Sequence, residues 1–277
     1  MRTWIAMGLS LALLVGCGTK FVYHNLDWFV IDYIEDYVDL TKEQKTILSE
    51  RIVNISQWHK QQEIPLYVQQ LDKLSQITPR TMTVELFHEQ EVEMRAHYHR
   101  LLQKIEPDIY SLAQQLSDQQ VKTLILGLEK KHNKYADRYQ GLTDTEIHGK
   151  YKSRIEERVE DWLGDLQPAQ QQLVQQWADS MQITAYDWIN YQAQIRTEVE
   201  VLLNQRDELS LFLPRLNRLL FEPESYYSPV LASKVEYNHA LSERYLVQII
   251  QLSNDRQIQH FQNEVADWKK ILIDLQS

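Results

Sequence analysis

Three pairs of side chains in this sequence have the types and spacing for metal chemistry: Glu85 with His88, Glu129 with His132, and Glu236 with His239. A glutamate and a histidine three residues apart project from one helix face, the arrangement by which carboxylate-rich di-metal bundles hold their ions. Such a site also needs two further inward glutamates on neighbouring helices, and Glu129 is followed directly by Lys130 and Lys131. Core or boundary histidines account for the pairs more plainly. No metal is therefore expected, and these six residues stand as the alternative. A further constellation places Glu63 one helical turn after Trp58-His59, with Pro65 and Tyr67 just beyond. The expectation is that the Glu63 carboxylate reaches the His59 imidazole on one face and ties a kink made by Pro65. His97 and His99 flank Tyr98 on different helix sides and do not form a ligand pair. No serine or cysteine has the context of an activated nucleophile.

The one cysteine has a different chemistry. Arg2, the apolar run from Ile5 to Val15 and Leu14-Val15-Gly16-Cys17 have the layout of a short positive region, an apolar core and small residues before a cut. The run is far shorter than the roughly twenty residues of a membrane-spanning helix. Residues 1–16 are thus expected to be removed as a lipoprotein signal, with Cys17 acylated at the new N-terminus. Two or more acyl chains give stable anchoring. Gly18 rather than an aspartate follows the cysteine, which points to the outer rather than the inner membrane.

Composition narrows the rest. The formal charge is −10, and it becomes one more negative when Arg2 leaves with the signal. An acidic surface argues against nucleic acid and against electrostatic binding to anionic headgroups. With Cys17 acylated no disulfide remains, so stability must come from packing. Beyond the signal, glycine occurs only at 18, 127, 141, 149 and 164. That leaves no glycine-rich phosphate loop, no dinucleotide fingerprint and no G-x-S-x-G elbow. A Gln-, Glu-, Leu- and Arg-rich chain without glycine to its end reads as helix.

The elements follow from caps and breakers. Residues 21–37 form an aromatic helix, apolar on two sides and expected to be sandwiched in the core. Thr41 caps a helix that Pro65 breaks or kinks. A helix spans 81–105, with a short piece after Pro107. Ser117 caps one that ends near Gly141, and another runs from Asp144 to a stop at Gly164. Pro168 suits a first helical turn. A long helix covers Tyr186 to Leu213 and stops or kinks at Pro214. Phe221–Val230 is a loop, and two helices close the chain. Leu40-Thr41, Leu116-Ser117, Leu166-Gln167 and Leu252-Ser253 each open a helix with a glutamine four or five residues after the leucine. Capping explains most of this echo, which is no true repeat. The fold class is all-α: a bundle or array of about 8–10 helices, with residues 17–277 as one domain.

Tyr23-His24-Asn25-Leu26-Asp27-Trp28, Asp36-Tyr37-Val38-Asp39-Leu40 with Gln44, Trp58-His59…Glu63-Ile64-Pro65-Leu66-Tyr67 and Asp161-Trp162-Leu163-Gly164-Asp165-Leu166…Pro168-Ala169-Gln170 together resemble the DUF6279 family of uncharacterised proteobacterial lipoproteins. The resemblance implies an all-helical envelope lipoprotein and assigns no catalytic residue. The Leu-Thr-x-x-Gln opening is also similar to that of small periplasmic chaperones. The expectation is a lipid-anchored, periplasm-facing protein without catalytic machinery and with no cofactor beyond the lipid on Cys17. Its expected partners are the membrane, through the anchor, and an envelope protein or unfolded client, not nucleic acid. Trp28, Asp39, Trp58, His59, Glu63, Pro65 and Tyr67 are its motif residues. The aromatic helix, the Trp58–Tyr67 elbow and the Phe221–Val230 loop are its candidate surfaces.

Overall fold

The computed structural model describes residues 17–276. Residues 1–16, where a signal is expected, lie outside the described residues, and the Cys17 side chain is likewise not described. Among the described residues every regular element is helical, in twelve α-helices: α1 (Cys17–His24), α2 (Leu26–Glu35), α3 (Lys42–Trp58), α4 (Ile64–Gln76), α5 (Val84–Ala113), α6 (Asp118–Asp137), α7 (Asp144–Leu163), α8 (Pro168–Ser180), α9 (Ala185–Asn204), α10 (Leu209–Phe221), α11 (Pro229–Gln251) and α12 (Asp255–Gln276). The protein is all-α, as its sequence indicates, with slightly more helices than expected because two long stretches are divided. None of these helices is long and apolar enough to cross a membrane.

The helices pack as neighbours around three buried apolar groups. Val159, Leu163, Val174, Trp177, Leu241 and Ile249 join α7, α8 and α11. Ala113, Val121, Leu202, Leu203, Phe212 and Leu216 join α5, α6, α9 and α10. Tyr139, Ile147, Tyr151, Ala178 and Ala185 make a third group around the start of α7. The C-terminal α12 lies along α4 and α7, and α1 touches it.

Caps set most boundaries. Thr41, Ser117 and Thr143 each close a capping box with the residue three further on. Gly164 ends α7 at φ 69°, a conformation that an L side chain rarely adopts. Proline is the breaker that misleads. Pro107 lies inside α5, which continues to Ala113, and Pro214 lies inside α10. The break expected at Pro214 falls instead at 205–208, so the long helix from 186 becomes α9 and α10. Pro65 neither breaks nor ends its helix. A π-turn over His59–Glu63, closed by the Ile64 N–H to the His59 carbonyl, precedes it. Pro65 then takes a first-turn position of α4, where a missing N–H costs nothing.

The aromatic segment departs further from expectation. It divides at Asn25 into α1 and α2, and α2 buries none of its residues. Phe21 is 62% exposed and Trp28 59%. The sandwiched reading is therefore overturned. α2 packs mainly against α3 and α1, with Lys131 of α6 reaching over its Tyr33 ring, and these neighbours do not cover two apolar faces.

The glutamine echo has a structural meaning that capping alone does not supply. Gln44 and Gln120, the third residues of α3 and α6, exchange side-chain amide bonds at 3.1 and 2.7 Å. Each then donates to the chain just before the other helix: Gln44 to the Gln115 carbonyl and Gln120 to the Asp39 carbonyl, both at 2.8 Å. The same clasp recurs between α8 and α12. Gln257 donates to Gln170 at 2.9 Å and to the Asp165 carbonyl at 3.0 Å, and Gln170 donates to the Ile249 carbonyl at 2.9 Å. Here the cap of α12 is Asn254 rather than Ser253. Two helix starts are thus pinned head to head twice over by buried amides. Removing such an amide strands carbonyls away from water, at about 1–3 kcal/mol each. Gln170 is wholly buried, so Gln170→Leu is expected to lower stability by about 2–4 kcal/mol, read by urea unfolding. A loss below about 0.5 kcal/mol would show that the clasp is incidental.

Candidate functional site

The π-turn widens the helix by one residue and carries two of its polar side chains, His59 and Glu63, toward the interior. π-turns inside α-helices cluster at functional positions. Glu63 is 1% exposed. Its partners come from α5, not from its own helix. Arg100 Nε lies 2.9 Å from Glu63 Oε2 and Arg100 Nη2 2.7 Å from Oε1, a two-pronged ion pair. His97 Nδ1 lies against Glu63 Oε1 and 2.7 Å from Arg100 Nη2. On the other side of the ring, His97 Nε2 is 3.0 Å from Gln70 Oε1, and Gln70 Nε2 donates to the Gln90 carbonyl at 3.0 Å. The Tyr67 ring stacks on His97 at 4.1 Å between centroids.

The charges follow from these contacts. Burial pushes the Glu63 carboxyl up, but the bonds from Arg100 and His97 outweigh it and hold the group below the usual carboxylate range. Burial pushes the His97 imidazole down against the pull of Glu63, which favours its neutral form. Burial raises the Tyr67 hydroxyl to about 12. The result is one buried anion on one cation, wrapped by neutral rings.

His59 does not hold Glu63, contrary to the expectation from spacing. The widened turn swings Glu63 round toward α5, and His59 Nδ1 instead sits 2.9 Å from the Tyr23 hydroxyl of α1. Burial lowers the His59 imidazole and raises the Tyr23 hydroxyl to about 12. The network therefore runs from α1 through the π-turn to α5. Beside it, Tyr23, Asp27, Val53, Ser56 and Lys60 line a groove of about 150 Å³ between α1, α2 and α3. Trp58 is half-buried next to His59. Asp39 contributes its backbone carbonyl to the Gln120 clasp. The elbow is thus an internal tie rather than an open surface. The Phe221–Val230 segment is likewise held down. A 3-10 turn spans Pro223–Tyr226, Arg218 lies 4.6 Å over the Tyr226 ring, and Tyr227 packs edge-on against Trp188 and Tyr191. Gln70 and Arg100 went unnoticed in the sequence, and His97 was weighed only against His99. The available signal was His97 and Arg100 at i,i+3 on one helix face.

The three Glu-x-x-His pairs separate. Glu129 and His132 both face Arg196, at 3.7 and 3.3 Å, so a fixed cation already occupies that place. Glu85 and Glu236 are exposed and away from their histidines' partners. His88 and His239 do converge across α5 and α11, but on Glu91 and Glu243. His88 Nδ1 is 3.0 Å from Glu243 Oε1, and His239 Nε2 is 3.0 Å from Glu91 Oε2.

Breaking the Glu63 pair is expected to cost more from one side than the other. Arg100→Ala strands a carboxylate with no route to water, at about 3–5 kcal/mol by urea unfolding at neutral pH. Glu63→Gln costs less, because the Arg100 side chain is 36% exposed and can turn to solvent. Acid sensitivity has two parts. The neutral His97 stabilises fully above about pH 6.5 and progressively less below it, as the unfolded chain takes a proton that the fold resists. The Glu63 contribution is complete above about pH 4.3 and is lost as pH falls through the lowered folded value. His97→Gln is expected to flatten the first part only, and equal pH slopes in both proteins would refute the assignment.

The model of the DUF6279 family, a family of unknown function, matches residues 36–231. Neither a curated protein nor a solved structure matches the chain. The matched span contains His59, Glu63, Pro65, Tyr67, Gln70, His97 and Arg100, whereas Tyr23–Trp28, His239 and Glu243 fall outside it. The family model thus takes in both clasped starts of α3 and α6 and the whole buried pair of π-turn and α5, and by that match the chain belongs to the DUF6279 family.

Proposed function

We propose that this protein is a lipid-anchored cell-envelope lipoprotein, held through Cys17 at the periplasmic face of the outer membrane, and that its helical body is a non-catalytic binding scaffold. The observation that carries the reading is the character of the first two helices. Among the described residues α1 runs from Cys17 to His24, and Phe21 and Trp28, within eleven residues of Cys17, leave most of their surface exposed. Aromatic rings beside acyl chains settle at a membrane–water interface. The nearby acids do not all oppose this. Asp27 accepts from Ser49 at 2.5 Å and Glu35 pairs with Lys45 at 2.5 Å, both on α3 and away from Phe21.

The same helices join the anchor to the body with little slack. Lys20 lies 3.8 Å from Asp274 on α12, and Tyr23 reaches His59 in the π-turn. α1 is about 12 Å long at 1.5 Å per residue, so the buried Glu63 network lies close to the bilayer. The acidic body is repelled by anionic headgroups, which leaves the acyl chains and exposed rings to hold it there. Met94, Leu126 and Leu211, exposed on α5, α6 and α10, are contacts for an envelope partner or a folding client.

Mass spectrometry of protein taken from membranes is expected to find an acylated Cys17 as the first residue, and Cys17→Ser to release the protein into the soluble fraction. A photoreactive side chain at position 28 is expected to label lipid. Residues 1–16 still attached to a bare thiol, or labelling at 28 confined to protein, would overturn the proposal.

A further inference from the structure

The convergence of two histidines and two glutamates between α5 and α11 suggests a use outside the scaffold reading. His88 and Glu91 stand one turn apart on α5, and His239 and Glu243 one turn apart on α11. One ligand atom each from His88, Glu91 and Glu243 falls within a 4.8 Å sphere of approach. His239 borders the set through two different nitrogens, Nε2 3.0 Å from Glu91 Oε2 and Nδ1 3.7 Å from Glu243 Oε2, so it joins a metal only by turning one of them inward. His88 Nδ1 lies 3.0 Å from Glu243 Oε1 and 4.0 Å from Glu91 Oε2. Ligand atoms about 2.0–2.2 Å from a tetrahedral metal stand roughly 3–4 Å from one another, so His88, Glu91 and Glu243 need only small side-chain turns and His239 a larger one.

Two features separate this cluster from an ordinary surface ion pair. The Glu243 side chain is only 13% exposed, yet its partners are two imidazoles and neither a lysine nor an arginine. A largely buried carboxylate without a permanent cation calls for positive charge from elsewhere. Glu91 already has a cation: Arg95 holds its Oε1 at 2.8 Å and also lies 3.5 Å from His239 Nε2, while Oε2 faces both histidines, so a metal would take the place that Arg95 now shares with His239. An outer contact that fixes one carboxylate oxygen and frees the other is how metal sites orient their ligands. His88 is 57% exposed at its side chain, which opens the cluster to solvent.

We propose that His88, Glu91, His239 and Glu243 form a binding site for one divalent first-row metal ion, with Zn²⁺ as the best-fitting class, stapling α5 to α11. Two imidazoles and two carboxylates suit a borderline ion in four-fold coordination. The charge is supplied where Glu243 lacks it. The ion also clamps the helix that carries His97 and Arg100, so loading stabilises the fold.

The test uses the untagged mature protein, stripped with chelator and titrated with ZnCl₂ at pH 7.5. The expected result is one Zn²⁺ per chain by calorimetry and elemental analysis, with a rise in thermal midpoint reversed by chelator. Glu243→Gln and His239→Gln, checked for unchanged helical circular dichroism, are expected to weaken binding at least about tenfold. Glu85→Gln and Glu236→Gln are expected to leave it unchanged, which separates this set from the Glu-x-x-His pairs. Sub-stoichiometric zinc, zinc binding that survives Glu243→Gln and His239→Gln together, or a thermal midpoint indifferent to zinc would overturn the proposal. In the last case the cluster is a proton-dependent imidazole–carboxylate clamp only.

Discussion

The structure depends on one ion pair. Glu63 sits in a π-turn, out of water, and among the described residues only Arg100 of α5 gives it a full positive charge. A lone carboxylate in that place would be untenable. Pairing it ties the α3–α4 rod to α5, and α5 in turn lies against α10 and α11. The π-turn and Pro65 form one local device. The widened turn accommodates the proline and directs Glu63 across to the neighbouring helix. Replacing such a pair with apolar residues can leave stability unchanged. Its worth here is register: a carboxylate, a guanidinium fork and an imidazole meet in one arrangement only.

That register extends to the first helix. Tyr23 of α1 meets His59 at one end of the π-turn, and Glu63 at the other end meets His97. In the proposed lipid-tethered scaffold, a short helix bonded into the core would define the orientation of the body to the membrane. The glutamine clasps do comparable work away from α1. They pin α3 to α6 and α8 to α12 through buried amides, with no charge to be screened by salt or removed by acid.

Much of this architecture is legible along the chain, because local chemistry decides it. Thr41, Ser117, Gly164 and Pro168 place their helix ends within a residue or two of where the sequence puts them. Pro107 and Pro214 mislead, since packing of the flanking turns overrides the local penalty, whereas Pro65 meets none in the first turn of α4, after the π-turn. The all-α class and the family are legible from composition and from the Trp58–Tyr67 and Trp162–Gln170 strings. The partners of the site are not. Glu63 passes over His59, four residues away, for groups 34 and 37 residues on. His88 and His239 pass over the glutamates three residues before them for Glu91 and Glu243. Spacing shows which groups share a helix face, but only tertiary packing decides which face meets it. The exposure of Phe21 and Trp28 is hidden for the same reason.

The most direct measurement is the titration of the Glu63 carboxyl carbon by nuclear magnetic resonance in selectively labelled protein. The account predicts an ionised group at neutral pH that titrates below the about 4.3 of a free glutamate, with its midpoint moved upward in Arg100→Lys, whose single ammonium cannot reproduce the fork. A Glu63 that is protonated at neutral pH, or that titrates at the free value in the folded protein, would contradict it.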